Sequence, residues 1–271
     1  SIKIAKSGKT YAIANKETII SFGKILLDEC YKNNTKLIPL DSEHNAIHQL
    51  LKNNNHSFKN ITLTASGGPF LNLPLEKLSN VKPKDAIVHP KWKMGRKISV
   101  DSSNLVNKSL ELIEAKNLFN LENNEVNAII HPQAIVHGLV NYHDNSSFAF
   151  MSPPNMEVSI SSVLFPKKDF ISNKYKFNLS EFNKLEFFEI DKIRFPSIKL
   201  CEYVMQIGGI APHLFNYINE RLVYLFLGNV INYLDIVLIN EKIIEQYYKK
   251  NQNIDSPSIQ DINEASEWID H

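Results

Sequence analysis

The sequence predicts an α/β protein with a mixed sheet and a helical C-terminal region. Three observations carry this. Short apolar runs alternate with amphipathic, helix-patterned segments over the first 66 residues. Three strand-like runs lie between 128 and 152, the last two separated by turn residues Asp144-Asn145-Ser146. After residue 197 the apolar spacing is helical almost throughout.

In chain order, TYAIAN (10–15) reads as a short buried strand and KETIISFGKILLDECYKN (16–33) as a helix. TKLIPL (35–40) is a second strand, SEHNAIHQLLKNN (42–54) a second helix, and ITLTAS (61–66) a third strand ending at Gly67-Gly68-Pro69. This β-α-β-α-β order predicts a largely parallel sheet with helices on its faces. Ligands gather at the carboxyl ends of such strands, where Asn15, Lys16, Asp41, Glu43 and Ser66 fall. Residues 74–97 are basic and carry three prolines, as a surface loop around short helices would. ISVDSS (98–103) reaches a turn, and 105–121 is a helix. AIIH (128–131), AIVHGLVNYH (134–143) and SFAFMS (147–152) suggest antiparallel strands. The segment 166–196 reads as a linker, and 197–208, 211–229, 233–250 and 259–270 as helices.

The 271 residues suffice for more than one unit. Thirty Lys and Arg balance 29 Asp and Glu, so no broad basic surface points to nucleic acid or an anionic membrane, and anion binding must be local. Cys30 and Cys201 form no CxxC or Cys/His cluster, which argues against a disulfide framework or structural zinc. No run approaches the ~18–20 apolar residues of a membrane span. No signal-peptide pattern opens the chain, and it starts at Ser1 without Met, so a preceding N-terminal piece is expected.

Asp41 and Glu43 follow a buried strand two positions apart. Either Asp41 or Ser42 caps the next helix with Glu43 in its first turn, or the two carboxylates share a cation that offsets their repulsion. An all-oxygen set without Cys suits Mg²⁺ or Mn²⁺ rather than Zn²⁺. In 105–121, Asn104, Asn107, Lys108 and Glu111 share one helical face opposite Val106, Leu110 and Ile113, and Asn117 interrupts the apolar stripe. That polar face is either a solvated stripe with a Lys108–Glu111 pair, or a phosphate cradle behind Asp101-Ser102-Ser103, with Glu111 one turn further in as a metal ligand. Ser66-Gly67-Gly68-Pro69 fits an anion turn or an ordinary turn equally well. SGKT (7–10) lacks the first glycine of a P-loop, Lys3 standing there. His131 and His137 read as strand histidines. His89, beside Trp92 in the basic loop, is the better anion contact, and Trp92 either packs or closes over a ligand.

ANKE (14–17), LDSEHNAI (40–47), ASGGPF (65–70), HPKWKMGRKISVDSS (89–103) and NKSLELIEA (107–115) together resemble 1-deoxy-D-xylulose 5-phosphate reductoisomerase. IIHPQAIVHG (129–138), PPNM (153–156) and FPSIKL (195–200) continue the likeness over nearly the whole chain. The resemblance implies conversion of 1-deoxy-D-xylulose 5-phosphate to 2-C-methyl-D-erythritol 4-phosphate with NADPH, an early step of non-mevalonate isoprenoid synthesis. It implies Asp41, Glu43 and Glu111 as ligands of Mg²⁺ or Mn²⁺. It puts Lys16 and Ser42 on the substrate backbone, and Ser66, Ser102, Asn107 and Lys108 on its phosphate with His89 alongside. Asn15, Glu17 and Gly95 match positions that touch NADPH, and Trp92 and Met94 the flexible lid. Phosphonate inhibitors and a homodimer are also implied, with a location in the bacterial cytoplasm or a plastid-type organelle.

The implied architecture is a remnant of a Rossmann-like nucleotide domain (1–34), a central catalytic and dimerisation domain (35–165), a linker (166–196) and a C-terminal helical domain (197–271). No glycine-rich dinucleotide turn follows an N-terminal strand here, so the chain reads as an N-terminally truncated member that would hold NADPH poorly. SNLV after Ser102, Ser109 in place of a usual glycine, and Tyr217 and Ile218 in place of alanines depart from the family pattern. The competing reading is a non-catalytic remnant or binding protein that keeps the metal and phosphosugar site; a third is another metal-dependent phosphosugar isomerase.

Overall fold

The computed structural model describes residues 1–52, 57–92, 94–165 and 177–271. In chain order the elements are α1 (Ile2–Ala5), β1 (Thr10–Ile13), α2 (Lys16–Lys32), β2 (Lys36–Pro39), α3 (Ser42–Lys52) and β3 (Phe58–Ala65). A 3-10 turn (Leu75–Asn80) leads to α4 (Pro83–Ala86), α5 (Arg96–Ser103) and α6 (Val106–Phe119). A second such turn (Asn123–Glu125) precedes β4 (Val126–Ile130), β5 (Val136–Tyr142), β6 (Ser147–Met151) and α7 (Glu157–Leu164). A third (Leu179–Glu181) precedes α8 (Ser197–Ile207), α9 (Ala211–Leu227), α10 (Asp235–Lys250) and α11 (Ile259–Asp270).

The chain forms two compact units, each drawn from three stretches: 1–16, 27–66 and 124–190 in the first, and 17–26, 67–123 and 191–271 in the second.

The first unit holds the strands, which form two sheets rather than one. β1 and β2 pair in parallel, Thr10 opposite Lys36 and Ile13 opposite Pro39. β3 instead lies inside a four-stranded sheet of order β4-β3-β5-β6. It runs parallel to β4 and antiparallel to β5, and β5 runs antiparallel to β6. The reason is burial. Ile61, Leu63, Thr64 and Ala65 are all buried, so this half of β3 needs covered faces and hydrogen-bonded partners on both edges. The antiparallel expectation therefore holds for β5 and β6 but not for β4. β3 also begins at Phe58, earlier than the expected 61. α3 packs across β3, β5 and β6 through its buried face, Ala46 and Ile47. α7 was not foreseen; Ser161 and Ser162 return their hydroxyls to carbonyls one turn earlier, which lets a serine-rich run stay helical.

The second unit is helical. α9 is its hub, packing on α5, α8, α10 and α11. Leu214, Phe215, Val223 and Phe226 of α9, Val204 of α8 and Ile236 and Ile244 of α10 are almost completely buried, each worth about 1.5–3 kcal/mol of transfer energy. The four C-terminal helices lie where the apolar spacing predicts, within two residues at each end. The expected turn at 98–103 is helix α5 instead. Its polar residues satisfy themselves: Ser99 Oγ donates to Gly95 O at 2.9 Å, Ser103 Oγ to Val100 O at 2.7 Å, and Lys97 pairs with Asp101 at 2.8 Å. The chain then breaks at Leu105, whose φ of 58° is left-handed, before α6 starts. Of the predicted helix 42–54, residues 53 and 54 lie outside the described residues, as do 166–176 of the predicted linker.

Candidate functional site

In the first unit, Pro39 ends β2 and the Asp41 carbonyl accepts the Asn45 N–H at 2.8 Å, starting α3. Asp41 is thus the last non-helical residue and Glu43 lies in the first turn. Glu43 thus lies where the capping alternative puts it, yet each of the two offers a carboxylate oxygen within 4.8 Å of the other.

Lys16, the buried first residue of α2, sets its ammonium 2.6 Å from Asp41 Oδ2, and His44 Nδ1 lies 3.9 Å from Oδ1. Burial alone would raise the Asp41 pKa, but Lys16 and His44 outweigh it and hold the carboxyl well below the usual carboxylate range. Ser42 Oγ donates to Glu43 Oε2. Asp41 is therefore ionised at neutral pH and has a second acid within reach, the donor set a hard divalent cation requires. Asn15 is exposed just before Lys16, and Ser66 is half-buried just after β3.

In the second unit, α6 gathers Asn107, Lys108 and Glu111. Asn107 Nδ2 and Lys108 Nζ both donate to the Glu111 carboxylate. The i,i+3 pair foreseen from sequence exists, but the face is not a solvated stripe: Lys108 is 4% and Glu111 1% exposed. A buried carboxylate that accepts from two donors has its oxygens fixed in orientation.

α5 supplies Ser102, half-buried, beside the buried Asp101. Asp101 accepts Lys97 Nζ and, at 2.8 Å, Asn219 Nδ2 from α9. Lys97 also lies 3.9 Å from Glu17. Burial lowers the Lys97 pKa, but Asp101 foremost and then Glu17 more than reverse this, leaving it raised. Gly68 takes a φ of +65°, and a Cβ there would stand 2.9 Å from Ser102 O. The glycine is thus required by turn conformation and by contact with the end of α5.

His89 Nδ1 accepts the backbone N–H groups of Lys91 and Trp92 at 3.1 and 2.9 Å. Burial lowers its pKa to about 4, so the ring is neutral at pH 7 and, with Nδ1 accepting, carries its proton on Nε2. Trp92 and Met94 are half-buried, Gly95 is exposed at the start of α5, and Lys93 lies outside the described residues.

Sequence reading assigned no role to His44, Lys97, Asn219 or Glu114, and took Asp101 only as part of the approach to a phosphate cradle. Glu114 is 1% exposed on α6, and its i+3 spacing from Glu111 was the one available signal. His131 and His137 are strand-associated and buried, as expected; His131 Nδ1 meets Glu186 O at 2.9 Å and its ring stacks on Phe187.

A family model described as 1-deoxy-D-xylulose 5-phosphate reductoisomerase C-terminal domain matches residues 37–119. One described as DXP reductoisomerase C-terminal domain matches 151–271. The 1-deoxy-D-xylulose 5-phosphate reductoisomerase of Chlamydia felis is 44% identical over 247 residues, covering 91% of this chain and 65% of that protein. That of Desulforamulus reducens is 39% identical over 264 residues, covering 97% and 67%. Among solved structures, the Zymomonas mobilis reductoisomerase in complex with NADPH is similar with a TM-score of 0.87 at 34% identity, covering 98% of this chain and 68% of that one. A DOX-P reductoisomerase in complex with NADPH, fosmidomycin and magnesium reaches 0.89 at 33% identity, covering 99% and 70%. The chain thus spans 65% and 67% of the length of these two curated relatives.

Proposed function

Because this chain belongs to the 1-deoxy-D-xylulose 5-phosphate reductoisomerase family, we propose that the protein it represents converts 1-deoxy-D-xylulose 5-phosphate to 2-C-methyl-D-erythritol 4-phosphate with NADPH and Mg²⁺ or Mn²⁺. The observation that carries this is the Asp41–Glu43 pair: two carboxylates within 4.8 Å just past the carboxyl end of β2, inside the region the family model matches. Asp41, Glu43 and Glu111 are the proposed metal ligands.

When bound, the cation supplies Lewis acidity at the substrate oxygens and the nicotinamide supplies the hydride. The chain's own residues bind, orient and neutralise. Lys16 keeps Asp41 ionised and, with Ser42, reaches the substrate backbone. Asn107 and Lys108 hold Glu111 in place and, with Ser66, Ser102 and the neutral His89, take the phosphate, whose binding energy is then available at the reacting carbons. Asn15, Glu17 and Gly95 face NADPH. Trp92 and Met94 belong to a lid that excludes water.

The division into 1–34, 35–165, 166–196 and 197–271 stands as part of this proposal. So does a homodimer, supported by β6 at the edge of its sheet with Phe148 half exposed; a monomer in sedimentation would remove it. No helix among the described residues is long and apolar enough to cross a membrane, and the relatives named are bacterial, which supports a cytoplasmic location. Phosphonate inhibitors are expected to compete with substrate.

The test is Mn²⁺ titration of the chain. One tight site is expected, lost in Glu43→Gln; unchanged binding in that variant would overturn the ligand assignment. Full-length protein with substrate, Mg²⁺ and NADPH should consume nicotinamide absorbance, and a flat trace from folded protein would favour the non-catalytic reading.

A further inference from the structure

α2 is not a regular helix. Phe22 has φ −129° and ψ 17°, which bends the element in its second turn. At such a break the regular i→i−4 ladder is distorted, and a carbonyl beside it gains from a donor outside the helix. Asn117 of α6 supplies one: its Nδ2 donates to Ile19 O at 3.0 Å. Ile19 is completely buried, so no bulk solvent competes for that carbonyl. Gly23 permits the approach, since a Cβ there would lie 2.9 Å from Asn117 Nδ2 and 3.2 Å from its Cγ. A cavity of about 240 Å³ is lined by Asn117 together with Ile20, Phe22, Gly23, Ile113 and Met205 among others. This accounts for an oddity of the sequence: Asn117 occupies a position where the apolar stripe of α6 predicts a hydrophobic residue.

The same half of α2 is tied at a second point, where Glu17 lies 3.9 Å from Lys97 of α5. Residues 17–26 are thus fastened to α5, which carries Ser102, and to α6, which carries Asn107, Lys108 and Glu111. We propose that Asn117 is a positioning residue: its amide clamps the bent start of α2 to α6 and holds the cofactor-facing and phosphate-facing groups of the second unit in register. The inference rests on the proposed function for what those groups bind, and on the geometry alone for the clamp.

The experiment uses the full-length protein and four variants. Asn117→Leu keeps the volume and removes the donor. Gly23→Ala keeps the donor and displaces it. The double variant and Asn117→Gln complete the set, Gln being able to extend into the cavity and restore an amide. Expected are a fall in kcat/KM on the order of tenfold or more in each single variant, with Tm lower by only a few degrees. The double variant should be no worse than either single, and Asn117→Gln should recover most of the loss. Unaltered kcat/KM in folded Asn117→Leu, or losses that multiply in the double variant, would overturn the positioning role and leave a purely structural one. Should the unmutated protein not turn over at all, the proposed function fails separately. The clamp is then judged by deuterium exchange over residues 17–26: faster exchange in Asn117→Leu upholds it, and an unchanged rate sinks it.

Discussion

Replacing Asp101 with alanine tests whether the charged pair beneath Ser102 holds α5 in place. Asp101 is 1% exposed and accepts two donors, Lys97 Nζ and Asn219 Nδ2, both at 2.8 Å. The variant leaves an ammonium and an amide N–H without their acceptor in the interior of the second unit. Breaking one partner of a fully buried pair costs roughly 3–5 kcal/mol. The Lys97 side chain is 21% exposed and has Glu17 at 3.9 Å, so it recovers part of its solvation and half of another partner. The expected loss is therefore about 3 kcal/mol, or on the order of 6–12 °C in Tm for a chain of this size. Urea unfolding in metal-free buffer measures it, together with Lys97→Met and the double variant. If the pair acts as a unit, the double variant loses about 2 kcal/mol less than the sum of the singles. A single-variant loss under ~1 kcal/mol, or strictly additive losses, would refute the argument and reduce the pair to a surface contact.

Other outcomes follow from the same geometry. His213 is 5% exposed between Ser21 and Ser266, and burial lowers its pKa to about 4. The unfolded chain takes up this proton near pH 6.5 and the folded chain only near 4, so stability falls as pH drops through that window, by up to roughly 3 kcal/mol. His213→Gln should flatten this part of the pH profile in urea melts, and an unaltered slope would exclude His213 as its source. Gly68→Ala forces a side chain into left-handed backbone 2.9 Å from Ser102 O, and should cost about 2–4 kcal/mol by thermal melting; a neutral outcome would mean that the turn relaxes. Phe215→Ala empties a completely buried site in α9 and should cost about 3–5 kcal/mol, read as a lower urea midpoint.

Where sequence and structure agree, the information is local. Apolar spacing placed the strands and the four C-terminal helices because a period of two or of 3.6 residues is written into consecutive side chains. It likewise put Asp41, Ser42 and Glu43 at a strand end, and Asn107, Lys108 and Glu111 on one helical face. What it could not decide is what those groups meet. Lys16 and Asp41 are 25 positions apart, and only the parallel pairing of β1 with β2 brings α2's first residue to α3's entrance. The turn expected at 98–103 is helix because Asp101 finds Asn219, more than a hundred residues away, to share its burial. The three strands expected to form one sheet divide between two, because β3 is buried so completely that it needs β4 and β5 on its edges. Asn117 looks like a flaw in an apolar stripe, yet in the fold its amide donates to the Ile19 carbonyl beside the bend in α2. In each case the residue's own chemistry was legible, and the partner that gives it a role was chosen by packing, because burial sets which polar groups must be satisfied and tertiary contact alone supplies the groups that satisfy them.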